Sequence, residues 1–213
     1  MAEKPPQVAV VVAHPDDETL WCGGLILQHP EWHWRIVTLC RASDEERASR
    51  FWSVLGLFGA KGEMADLDDG PDQSPLSAAE VERTILRLLT RAEFDLVLTH
   101  GPSGEYTRHR RHEECCRGVS MLWHAGRLRT RRLRMFAYED GGGSRLPFVR
   151  ADADRREVLP PDVWREKRRI LIDLYGFRDD SWEVRAAPRE EGWWCFDDAT
   201  AAQQHAQRWR PDP

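Results

Sequence analysis

From residue 7 to residue 138 the chain alternates between two hydrophobic patterns. Residues 7–13 are β-branched and almost wholly apolar, as in a parallel strand buried on both faces. Residues 16–28 then follow with helical spacing, with Asp16, Asp17 and Glu18 in the first turn, where the helix dipole favours carboxylates. Gly23 and Gly24 weaken that helix and leave room for close backbone packing. A second strand is expected at 34–40. A helix is expected at 43–57, where Ser43 and Glu46 stand at capping-box spacing. A weak third strand at 63–67 leads into a polar loop, 68–75, rich in Asp, Gly and Pro. Ser77 and Glu80 open the next helix, which places Val81, Ile85, Leu88 and Leu89 on one face. A strand at 94–99, a polar loop at 100–111, a helix at 112–126 and a strand at 133–138 complete the series.

Strands alternating with helices define an α/β protein whose parallel sheet carries helices on both faces. The remainder is less regular. Residues 145–161 read as an excursion or small hairpin, 162–175 as a helix, and 193–207 as mixed. No repeat and no linker divides the chain. Residues 1–213 are therefore expected to form one domain, with a core at about 7–140 and the segment 141–213 completing it and its pocket.

Composition narrows the field. A chain of 213 residues, 41% hydrophobic and 31% charged, is long enough for a full core and is not disordered. A formal charge of -5 disfavours nucleic acid or an anionic membrane as partner. No apolar stretch approaches the roughly 20 residues of a membrane span. Residues 1–7 carry no signal-peptide core, so the cytoplasm is the expected location. Cys22, Cys40, Cys115, Cys116 and Cys195 are odd in number and lack a Cys-x-x-Cys pair, which reads as reduced thiols. Ten tryptophans serve for packing and leave room for a ligand surface or a homo-oligomer.

The chemistry concentrates in two places. His14, Asp16, Asp17 and Glu18 follow the first strand; His109 and His112 follow the fourth, within Gly104-Glu105-Tyr106-Thr107-Arg108-His109-Arg110-Arg111-His112. In a parallel sheet both groups open on the same edge, where α/β proteins bind ligands. A mixed imidazole–carboxylate set suits a catalytic zinc, Zn2+, with three protein ligands and one open position. Fe2+ or Mn2+ fits the same donors.

Ala13-His14-Pro15-Asp16-Asp17-Glu18 after an apolar strand, joined to a late His-x-x-His, resembles the PIG-L/LmbE family of zinc-dependent N-deacetylases. The resemblance covers about residues 7–140. It implies a Rossmann-like, three-layer fold and removal of acetyl groups from N-acetylglucosamine-type substrates, giving acetate and a free amine. By position it implies metal ligands at His14, Asp17 and His112, a general base at Asp16, and a protonated His109 that stabilises the tetrahedral intermediate. A bound zinc lowers the pKa of water to about 7 in such sites. The second motif departs from the family's frequent His-Pro-Asp-His: Arg110 and Arg111 stand between the histidines. Glu105, Glu113 and Glu114 are candidates to replace the missing Asp beside His109. Arg108, Arg110 and Arg111 either favour an acidic substrate or form a solvated loop.

Other residues keep two readings. Glu18 is a first-turn carboxylate, an orienter of a ligand histidine, or a substrate contact. Arg47 reaches substrate or makes a helix-surface ion pair. His100 lines the pocket or is structural, while His29, His33, His124 and His205 read as structural. Competing functions are a metal-dependent amidase or esterase on a non-sugar substrate, and an inactive binding or scaffold protein. A nucleotide role is weak, because no Gly-x-Gly-x-x-Gly follows the first strand and carboxylates there repel phosphate.

Overall fold

The computed structural model describes residues 4–90, 93–106 and 108–208; Thr107 of the second motif and the first residues of the N-terminal segment lie outside them. The elements are β1 (Gln7–Val12), α1 (Asp17–Gln28), β2 (His33–Thr38), α2 (Glu45–Phe58), β3 (Lys61–Met64), α3 (Ala78–Leu89), β4 (Leu96–Thr99), α4 (Arg110–His124), β5 (Leu133–Phe136), β6 (Arg155–Val158), α5 (Pro161–Arg169), α6 (Trp182–Ala186), β7 (Glu190–Phe196) and α7 (Ala199–Arg208). A π-helical turn, Ile170–Leu174, extends α5. Among the described residues no helix is long and apolar enough to cross a membrane.

The main sheet has the order β6-β7-β5-β4-β1-β2-β3. β3, β2, β1, β4 and β5 run parallel, and β7 and β6 are added antiparallel. The parallel part is a doubly wound 3-2-1-4-5 arrangement. Its order reverses between β1 and β4, which opens a crevice beyond their carboxyl ends. Both ligand motifs of the sequence leave the sheet at those two ends.

The apolar run of β1 explains the layers. Val8, Val10 and Val12 face a core shared with α1, α2 and the π turn, whereas Ala9 and Val11 face one shared with α3, α4 and α7. Each of the five is fully buried, as a central strand covered on both sides requires.

Several boundaries move for local reasons. Asp44, not Ser43, caps α2: its Oδ1 accepts Arg47 N at 3.1 Å, because Ser43 N and Oγ are both turned to Asp66 Oδ1. β3 begins at Lys61, two residues early, because Gly62 lets the chain approach Ile36 of β2; a Cβ there would sit 2.1 Å from Ile36 O. The expected 94–99 strand divides, with Glu93–Phe94 pairing Arg129–Thr130 and only Leu96–Thr99 joining the main sheet. The 145–161 excursion supplies Phe148–Val149, paired with Tyr138–Glu139, and β6.

α1 is broken at Cys22, whose φ of -144° and ψ of 16° are not helical. The exposed N–H groups of the second half are taken by Glu191 of β7, with Gly24 N to Oε1 at 2.7 Å and Leu25 N to Oε2 at 2.9 Å. Lys167 Nζ lies 2.7 Å from the same carboxylate, and both charged side chains are fully buried. This is an N-cap made in the middle of a helix, neutralised by a lysine. Gly24 is required for it, since a Cβ would come within 2.3 Å of Leu159 Cδ2. The C-terminal segment thereby fixes the helix that carries Asp17 and Glu18.

Candidate metal centre

β1 and β4 are stitched together where the motifs begin. Thr99 Oγ1 donates to Val11 O at 2.9 Å and Ala13 N donates to His100 Nε2 at 2.9 Å. The chain then turns sharply at Asp16, whose φ of 114° and ψ of -30° lie outside the favoured regions and cost on the order of 1–3 kcal/mol. Glu18 sustains that turn. Its Oε2 accepts Asp16 N at 3.1 Å, and its Oε1 accepts Thr19 Oγ1 at 2.6 Å and Tyr175 OH at 2.7 Å. Glu18 is fully buried and lies outside the pocket lining. Its contacts support the Asp16 backbone, and among the described residues it is not part of the cavity lining.

His14, Asp17 and His112 come together. His14 Nδ1 to Asp17 Oδ2 is 3.2 Å, His14 Nδ1 to His112 Nε2 is 3.3 Å, and His112 Nε2 to Asp17 Oδ2 is 3.4 Å. Bonds of about 2.0–2.1 Å to a tetrahedral ion place donor atoms about 3.3 Å apart, so the triangle has the size of a three-ligand face.

The outward atom of each donor is occupied. His14 Nε2 faces Asp69 Oδ1 at 3.3 Å, Asp17 Oδ1 accepts Trp21 Nε1 at 3.1 Å, and His112 Nδ1 meets Glu105 Oε2 at 2.6 Å. These partners put the ring protons on His14 Nε2 and His112 Nδ1. The inner His14 Nδ1, His112 Nε2 and Asp17 Oδ2 therefore all turn lone pairs on one point. Three converging lone pairs repel one another unless a cation lies between them. The titration of the site says the same. Burial lowers the pKa of His14, but Asp17 and Asp69 outweigh it and the value is raised. His112 is raised by Asp17 and Glu105 against burial and His100. The surrounding carboxylates thus favour positive charge within the cluster.

His100 is fully buried and stacks on His112 at 3.8 Å between ring centroids. Burial pulls its pKa down while Glu105 and Asp17 push it up, to about 9. The Ala13 N–H aimed at Nε2 needs a lone pair there, and an imidazolium has none; we therefore assign the neutral ring, with its proton on Nδ1 toward Glu105 at 2.9 Å. With both nitrogens engaged and a fully buried ring outside the cavity lining, His100 links the two strands, in line with the structural one of its two readings. Glu105 accepts a third donor, Gly101 N, at 2.7 Å. Burial opposes its ionisation, but His100 and His112 hold its pKa at about 2.

A cavity of about 210 Å³ lies over the triangle, lined by His14, Asp16, Asp17, Leu20, Arg41, Arg47, Asp69, Tyr106, His109, Trp182 and Glu183. Asp16 sits in its wall; burial and the charge of Asp17 raise its pKa well above the usual carboxylate range. Arg47 Nη1 stands 3.9 Å from Asp16 Oδ2, so Arg47 belongs to the cavity. A larger cleft of about 780 Å³ opens at the opposite edge of the sheet, beside Gln7, Trp32 and Arg131. It contains none of the clustered metal-type donors found among the described residues.

His109 occupies the N-cap position of α4 without a side-chain capping bond, and its ring lies over His112, with centroids 4.2 Å apart. Burial, His112 and His14 depress its pKa to about 3, which favours a neutral ring over the expected imidazolium. Its Nδ1 is buried with no partner among the described residues. The acidic candidates beside it are committed elsewhere: Glu105 to His112, Glu113 to Arg108 and Arg117, and Glu114 to Arg111. Arg111 is buried and ties α4 to the 68–75 loop through Ser74 O at 2.9 Å. That arginine is neither solvated nor turned to substrate.

Sequence reasoning missed Asp69, Trp21, Tyr106, Trp182 and Glu183. The Asp-rich loop after β3 was a signal for Asp69, because it leaves the same sheet edge as the two motifs. Arg41 holds Asp69 through Nη2 at 2.6 Å and Nε at 2.9 Å. Against burial, His14 and Arg41 bring the Asp69 pKa to about 2.

Two histidines and a carboxylate thus gather at the switch point of a doubly wound α/β sheet. The family model described as PIG-L, GlcNAc-PI de-N-acetylase, matches residues 9–123, and the chain belongs to that family. An uncharacterized protein of Acanthamoeba polyphaga mimivirus is 23% identical over 119 residues, which cover 47% of this chain and 52% of that protein; the match spans about half the length of the curated relative. Among solved structures, N,N'-diacetylchitobiose deacetylase from Pyrococcus horikoshii superposes with a TM-score of 0.67 at 14% identity, covering 98% of this chain and 87% of its own. The 4-carboxy-2-hydroxymuconate hydratase of Pseudomonas putida superposes at 0.64 and 16% identity, covering 89% and 95%. The fold is thus shared with proteins of more than one activity.

Proposed function

We propose that this chain, acting as one unit over residues 1–213, is a metal-dependent deacetylase of small N-acetylated amino sugars or their conjugates. The observation that carries the reading is the closed triangle of His14 Nδ1, Asp17 Oδ2 and His112 Nε2, each donor locked by an outer partner, beneath a cavity that contains a carboxylate. The donor set suits Zn2+ and also accepts Fe2+ or Mn2+. His14, Asp17 and His112 would hold such an ion, which would supply Lewis acidity and lower the pKa of a nearby water.

The rest is done by the chain's own groups. Asp16 takes a proton from the attacking water and returns it to the leaving nitrogen, a role worth roughly 10²–10⁴ in rate. The C–O bond forms, the C–N bond breaks, and acetate and a free amine leave. Neutral His109 offers an N–H to the acyl oxygen as charge grows there. Trp182 lies against Tyr106 at 4.5 Å between ring centroids, and the pair supplies an aromatic wall suited to the apolar face of a sugar ring. The C-terminal segment contributes to this wall through Trp182 and Glu183.

The test is acetate release from a panel of N-acetylglucosaminides and other N-acetyl amines, with His112→Ala as the metal-free control. Release from a sugar acetamide by wild type only supports the reading; no release by a zinc-loaded preparation sinks it. Arg41 and Arg47 in the cavity favour a second reading, a hydrolase or hydratase acting on a carboxylated substrate. Carboxylated amides and unsaturated acids in the same panel separate the two.

A further inference from the structure

The five cysteines differ in one respect. Cys22 Sγ reaches Glu18 O, Cys115 Sγ reaches Val11 O, Cys116 Sγ reaches Met135 Sδ and Cys195 Sγ reaches Trp193 O. Cys40 is free and fully buried, and its sulfur makes no hydrogen bond among the described residues. It lies just past the carboxyl end of β2, on the edge of the sheet where the metal triangle lies. Its sulfur, a nitrogen of His14 and a carboxylate oxygen of Asp69 all fall within 4.8 Å of one another.

The two partners are already arranged for this. His14 turns Nδ1 to the triangle and Nε2 to Asp69 Oδ1, 3.3 Å away. Arg41 takes Asp69 Oδ2 through two nitrogens. Asp69 Oδ1 is left to His14 and to Gln73 Nε2, which donates to it at 3.1 Å. A thiol, an imidazole nitrogen and a carboxylate oxygen form a mixed S/N/O donor set that suits zinc, and the thiolate selects for thiophilic ions.

We propose that Cys40, Asp69 and His14 Nε2 form a second metal site, for a thiophilic divalent ion such as zinc, cobalt(II) or cadmium, joined to the first through the two nitrogens of His14. Occupation replaces two protons, one from Cys40 Sγ and one from His14 Nε2, and both pass to solvent. His14 then bridges two cations as an imidazolate. Repulsion between the cations makes this the weaker of the two sites. An ion there also displaces the Asp69 contact that orients His14, so excess zinc inhibits. The inference shares His14 with the proposed catalytic site but does not depend on what that site catalyses.

The experiment is a cobalt(II) titration of the full chain after removal of metal by chelation, followed by absorbance and by equilibrium dialysis. Wild type binds two equivalents, and the second brings in an ultraviolet thiolate-to-cobalt charge-transfer band. Cys40→Ser keeps the first equivalent and loses the band and the second equivalent. His112→Ala separates the two readings, because it loses the tight equivalent and keeps the band. A tight equivalent indifferent to His112 would overturn the catalytic-site assignment and leave this one standing. A single equivalent in wild type without the band, or a band that survives Cys40→Ser, overturns the second site.

Discussion

Glu105→Gln is the sharpest single perturbation of the centre. The carboxylate is fully buried and accepts from three donors: His112 Nδ1 at 2.6 Å and His100 Nδ1 at 2.9 Å on one oxygen, and Gly101 N at 2.7 Å on the other. Glutamine retains one accepting oxygen and presents an NH₂ in place of the second. With its oxygen on Gly101 N, the amide N–H groups face two ring N–H groups. His112 relieves that clash by carrying its proton on Nε2, the atom that belongs to the triangle, and a ligand lone pair is lost. Removing an outer partner of this kind weakens metal binding by roughly 10–100-fold, or about 1.4–2.8 kcal/mol. The assay is competition for zinc against a chromophoric chelator, with thermal unfolding of the metal-free proteins to show that the variant folds. A folded variant that holds zinc within about twofold of wild type would refute the tautomer argument.

Three further outcomes follow from the same geometry. Asp16→Asn keeps zinc and loses turnover by roughly 10²–10⁴; joint loss of zinc and turnover in elemental analysis would make Asp16 a ligand. Burial lowers the pKa of His14 and of His112, but Asp17 with Asp69, and Asp17 with Glu105, raise them. In the metal-free protein their stabilisation is therefore complete below the ordinary histidine value of about 6.5 and is lost as pH rises through the raised values. Zinc replaces those protons, so the rise in melting temperature on adding zinc grows with pH, and a pH-independent rise would contradict this. Gly24→Ala sets a Cβ within 2.3 Å of Leu159 Cδ2 and 2.9 Å of Glu191 Oε1; urea unfolding is expected to register a loss of about 1–3 kcal/mol, and an unchanged midpoint would show that α1 is not clamped there.

Much of this was legible in the chain, for physical reasons that also mark the limits. The unbroken apolar run of residues 8–12 identifies a strand covered on both faces, and the alternation after it gives the layers. His14, Asp17, His109 and His112 come together in space because short spacings at strand ends survive folding as short distances. The long-range supports of the site have no such signal. Glu191 reaches Gly24 across 167 residues, and no local period encodes such a contact. His100 and Glu18 are polar residues of kinds that line pockets, and only their complete burial shows them turned inward. Ser43 and Asp44 are both competent helix caps, and Asp66, distant in sequence, decides between them. The arginines of the second motif read either as an acidic-substrate signal or as a solvated loop, and only the fold shows Glu113 and Glu114 holding Arg108 and Arg111.

The most direct test of the central claim is acetate release from the preferred acetamide as zinc is returned to the chelator-stripped protein. Turnover is expected to be negligible without metal and to reach its maximum at one equivalent held through His112. Turnover that persists without metal, or a zinc-loaded triangle that releases acetate from no amide, would contradict it.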